Sequence, residues 1–101
     1  HWRYNISMFS IIVMGGNVFA IQYIINEFPG IDNIDFPQIF RMLVGNNRLF
    51  SLKLVLKLYL DKNKDDGIDS ILDDNEDHFA NSDEFDKFCL EMKKIYDELK
   101  S

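Results

Sequence analysis

From Tyr4 to Asn26 the chain carries no charged residue. A run of that length can span a bilayer, so it must either enter a membrane or be covered by protein. Ser7, Ser10, Asn17 and Gln22 are scattered through it, and Gly15-Gly16-Asn17 breaks it in the middle. An interrupted run of this kind reads as two short helices of a folded domain, and a membrane is not the expected partner. The first helix covers residues 6–14 and stops at the two glycines, which readily leave helical geometry. Asn17 can cap a second helix, Val18 to Phe28, in which Ile21, Ile24, Ile25 and Phe28 fall at helical spacing.

The same punctuation continues along the chain. Pro29-Gly30 ends the second helix, and a loop from Pro29 to Asp35 leads to a third. Pro37 suits its first turn, where a missing N–H costs nothing. Gly45-Asn46-Asn47 stops it, and a fourth helix runs from Leu49 to Leu60. A long acidic loop is expected next. The last helix, Ser82 to Leu99, lines Phe85, Phe88, Cys89, Met92, Ile95 and Leu99 on one face, and Asn81 with Glu84 suits a capping box. The competing reading is two β-hairpins, because Leu52, Leu54, Leu56, Leu58 and Leu60 alternate with a period of two. Leucine favours helices, and Leu52, Val55, Leu56 and Tyr59 satisfy the helical period as well.

With 101 residues, 47% of them hydrophobic and nine of them Phe, the chain suits one domain with a modest core. Its net charge of −6 argues against nucleic acid, which requires clustered Lys and Arg. The charge is local: residues 61–86 hold eleven Asp or Glu against two Lys. One cysteine, Cys89, permits no internal disulfide and points to a reducing, cytoplasmic setting. Cys89 is expected to be buried and inert, and His78 beside Asp77 to be a surface pair, so no enzyme is expected. Zinc lacks ligands, and no glycine loop could cradle phosphate. The chain starts at His1, which suggests a fragment truncated at its N-terminus.

An internal echo is also present. Shifting residues 9–28 by 31 positions sets Phe9 on Phe40, Val13 on Val44 and Phe19 on Phe50, with eight further apolar pairs. That period is near the one of ankyrin arrays, stacks of short helix pairs.

The strongest likeness is to another family. Ile24-Ile25-Asn26-Glu27-Phe28, followed by Ile34-Asp35-Phe36-Pro37-Gln38-Ile39-Phe40-Arg41-Met42-Leu43, resembles the second EF-hand of calmodulin. In that family a helix ends in a calcium loop and a second helix leaves it. The resemblance places Ile34 at the aliphatic position that bridges to the partner loop, and Gln38 where the closing Glu belongs. Pro29 would take the place of the first ligand, and without a side-chain oxygen the loop is expected to be dead for calcium. Lys57-Leu58-Tyr59, then Asp61-Lys62-Asn63-Lys64-Asp65-Asp66-Gly67-Ile68-Asp69, resembles the entry to another hand, with Ile68 at the bridging place. Leu72 stands where its closing Glu is due, so Glu84 is the alternative closure of an enlarged loop, 61–84.

The resemblance therefore implies an all-α domain of two degenerate hands, residues 21–45 and 49–99, joined through a short Ile34–Ile68 β-bridge and ending in a long helix. Candidate calcium ligands are Asp61, Asn63, Asp65, Asp69 and Glu84; counting back from Glu84 gives a second set, Asp73, Asn75, Asp77, Asn81 and Glu84. Family members that lose calcium still clasp helices, as myosin light chains do. The implied function is thus a light-chain-type regulatory subunit, largely independent of calcium, that grips a basic amphipathic helix. Met14, Phe28, Met42, Phe85, Phe88 and Met92 would line its groove. The alternatives are a calcium sensor with one working site in 61–84, and an ankyrin-like helical-repeat scaffold for protein interaction.

Overall fold

The computed structural model describes residues 2–28, 30 and 34–101, with side chains from residue 8 onward. Six α-helices are present: α1 (Trp2–Gly15), α2 (Val18–Glu27), α3 (Phe36–Gly45), α4 (Leu49–Lys62), α5 (Ile68–Asn75) and α6 (Ser82–Lys100). A 3-10 turn, Glu76–His78, follows α5. The described residues hold no strand, so the alternating leucines of α4 are helical and the hairpin-sheet alternative falls.

Local chemistry sets the boundaries. The side chains of Asn17, Asp35 and Asn81 accept hydrogen bonds from the backbone N–H groups of Ala20, Gln38 and Glu84, at 3.0, 3.1 and 2.8 Å. Each satisfies one of the donors that a helix start leaves without a partner. Between α1 and α2 the chain turns back through Gly16, whose φ is +72°; between α3 and α4 it does so through Asn47, with φ 55°. Both occupy the left-handed region, open to glycine and tolerated by asparagine. Turns this short force antiparallel neighbours, and α1 packs on α2 as α3 packs on α4.

The two hairpins stack. α1 lies against α3 and α2 against α4, and α5 with α6 adds a third pair, α5 against α3 and α6 against α4. Two layers of helices result, α1-α3-α5 and α2-α4-α6. One contiguous apolar core threads all three pairs, from Phe9 and Ile21 through Phe40 and Leu52 to Phe88 and Ile95. Phe36 and Tyr59 pack at a tilt with 4.9 Å between ring centres, and Phe9 meets Phe36 edge-on at 6.0 Å. Lys62 donates from Nζ to the carbonyl of Ile25 at 3.0 Å, placing a cation on the negative end of α2.

Three expectations need correction. The first helix starts at Trp2, not residue 6. Residues 61–84 are not one enlarged loop, because α5 lies inside them: Ile68, Ile71, Leu72 and Asn75 recur at helical spacing and face the core. The Ile34–Ile68 β-bridge is absent. Ile34 sits in a bend, its carbonyl bonded locally to the Phe36 N–H at 3.0 Å, and Ile68 is the first residue of α5. Pro29 and residues 31–33 of the first proposed calcium loop lie outside the described residues.

Candidate interaction surfaces

The donors proposed for calcium are spread over separate elements. Asp61 is exposed in the last turn of α4 and Asn63 follows that helix, its amide donating to the Tyr59 carbonyl at 2.9 Å. Asp65 lies in the connecting turn, Asp69 in the first turn of α5 and Glu84 in the first turn of α6. In the second set, Asp73 and Asp77 are exposed while Asn75 is fully buried. Its Oδ1 accepts from the Arg41 guanidinium at 2.7 Å and its amide donates to the Ile71 carbonyl at 2.9 Å. The Asn81 oxygen already caps α6. Among the described residues no three or more His, Cys, Asp or Glu gather to hold a metal ion.

The six residues proposed to line a partner groove do not share one either. Phe88 and Met92 are core residues, 2% and 0% exposed. Met14, Met42 and Phe85 are half-buried and pack against the core. Phe28 alone of the six lines the open apolar hollow between α1 and α2.

The large apolar side chains that do face solvent occupy other positions. Phe19 is 84% exposed and Phe50 65%, and each is the second residue of its helix, α2 or α4. They are paired by the 31-residue shift, and each stands at the start of a helix that follows a tight turn, α2 and α4 being packed against each other. A groove of about 480 Å³ opens between the α3–α4 turn and α6. Val44, Leu49, Phe79, Leu90 and Phe88, one of the six residues expected in a groove, give it an apolar lining, and Arg41, Lys87, Glu84 and Glu91 add charge. Glu91 Oε2 is buried there with no hydrogen-bond partner among the described residues, an unusual state for a carboxylate oxygen.

Tyr59 and Cys89 are electrostatically perturbed. Burial, then a 3.1 Å hydrogen bond to Asp66 and the negative charges of Asp66 and Asp74, push the Tyr59 hydroxyl up to about 12. Burial pushes the Cys89 thiol up, which favours the unreactive protonated form. No helix among the described residues is long and apolar enough to cross a membrane.

Stacked helix hairpins with an aromatic edge define a class by architecture: an all-α layered array. Comparisons with protein-family models, with curated proteins and with solved structures returned no match.

Proposed function

We propose that the chain is a helical-repeat scaffold that binds another protein along its turn edge. One observation carries this reading: the 31-residue register of the sequence recurs in three dimensions. Residues 18 and 49 begin helices, and residues 16 and 47 are the left-handed turns. Phe9 and Phe40, Ile21 and Leu52, and Ile25 and Leu56 are buried as pairs, while Phe19 and Phe50 are exposed as a pair. Repeats of this kind cover one another and leave an extended edge for binding.

The favoured partner is a basic amphipathic segment. Its apolar side chains would lie on Phe19, Phe50 and the groove lining, and a Lys or Arg would meet the exposed carboxylate of Glu84 in the groove. The acidic block of residues 61–86, which brings Glu84 to the groove, favours such a partner's approach. The test is affinity capture with the intact chain, followed by cross-linking. Cross-links from a basic segment to residues 41–50 and 84–91 are expected. The double substitution Phe19→Ser with Phe50→Ser should weaken capture by at least about tenfold, since exposed aromatics concentrate binding energy. Equal capture by the double variant refutes the edge. Stoichiometric calcium binding in calorimetry, with capture that requires calcium, would return the calmodulin-like sensor in its place.

A further inference from the structure

The two ends of the stack differ in a way that the repeat register makes interpretable. The hollow between α1 and α2, about 300 Å³, is lined by Met8, Phe9, Ile12, Ala20, Tyr23, Ile24 and Phe28, and no residue of the second hairpin is among its lining. Shifted by 31, Met8 falls on Ile39, Ile12 on Leu43, Tyr23 on Leu54 and Ile24 on Val55. Met8 is 59% exposed against 1% for Ile39, Tyr23 is 63% exposed against a half-buried Leu54, and Ile12 and Ile24 are half-buried where Leu43 and Val55 are fully buried. The positions are the same; what differs is the cover. Hairpin α3–α4 is packed on both sides, by α1–α2 and by α5–α6. Hairpin α1–α2 is packed on one side.

The far end is built differently. Ten of the nineteen residues of α6 are charged, and Leu90 is the one large apolar residue of that helix fully open to solvent. An array needs a polar outer helix where it stops, and α6 meets that need. The first hairpin does not, since no charge falls between Tyr4 and Asn26.

We infer that the outer face of α1–α2 is a stacking site for one further helix hairpin of the same 31-residue register. The occupant's chemistry follows from the interface already present: an uncharged helix pair that covers Met8, Ile12, Tyr23 and Ile24 as α1–α2 covers Ile39, Leu43, Leu54 and Val55. The assignment rests on the helical-repeat function proposed above.

The test uses the full chain and a version in which residues 5–35 are duplicated in tandem. Helix content by circular dichroism and side-chain labelling of Met8 and Tyr23 are read in both. In the extended protein, helix content should rise by one hairpin, and labelling of the native Met8 and Tyr23 should fall severalfold below their own level in the parent. Tyr23→Glu, at an exposed position, should leave the parent fold intact and restore Met8 labelling in the extended protein. If the copy becomes helical but Met8 stays labelled, the stacking site is refuted and the repeat architecture stands. If the copy adds no helix, both fail. A concentration-dependent dimer of the parent, split by Tyr23→Glu, assigns the face to a second copy and overturns the hairpin occupant.

Discussion

The second and third hairpins solve the same packing problem with different chemistry. α3 buries Ile39, Phe40 and Leu43; α5 buries Ile71, Leu72 and, at the place Leu43 holds, Asn75. The register survives a change from an apolar helix to one with Asp at three of eight positions. Helical spacing of the inward residues is therefore what the stack requires, and the outward residues are free to vary. The Asn adds a constraint of its own. Arg41 reaches from α3 to Asn75 Oδ1, so the third pair is held by a directional bond as well as by area.

This contrast can be broken from either side. Leu43→Ala should cost about 3 kcal/mol in urea unfolding, the usual penalty for a cavity in a closed core. Asn75→Ala should cost about 2 kcal/mol, because it strands a charged donor at Arg41 as well as losing a bond. Asn75→Leu combined with Arg41→Met should recover most of that loss, and failure to do so would show that the polar pair does more than fill space. Gly16→Ala compared with Asn47→Gly sharpens the pairing of the two turns. The first should destabilise by about 1 kcal/mol because alanine resists positive φ, and the second should not destabilise. The smallest effect concerns caps. Asn17 caps α2 with its side chain, whereas Arg48 makes no such bond at α4. Arg48→Asn should therefore add up to about 1 kcal/mol, measured the same way.

Tyr59, which joins the α4 helix to the acidic turn through Asp66, gives a pH signature. Its proton is held more tightly in the folded chain, up to about 12 against an ordinary 10.0. The folded state therefore binds more protons between those values, and stability falls as pH rises through that window. Below about 10 the contribution is fully present. Alkaline unfolding curves should show this slope in the parent and lose it in Tyr59→Phe.

Much of the fold was legible because punctuation and periodicity agreed. Gly15, Asn17, Gly45 and Asn81 mark helix ends within a residue or so of where they fall. α5 was hidden because its three aspartates, set beside Asp65 and Asp66, look like loop donors. The donors of the metal sets lie on separate elements for a related reason. Alternate residues converge only in a suitably curved loop; on a helix, residues two apart project about 200° from each other. Asp73 and Asn75 illustrate this, one in solvent and the other in the core. The exposed Phe19–Phe50 pair was visible in the 31-residue shift. Which of the apolar faces lacked cover was not, since a period says which residues share a side but not what lies against it.

The two-sided packing of α3–α4 also orders how the molecule comes apart. Principal contacts join neighbouring pairs, so each outer hairpin can fray while the kernel persists, but loss of the kernel leaves both outer pairs without a floor. Amide protons around Leu52 to Leu56 should outlast the others in exchange, and melting should travel inward from the two extremities.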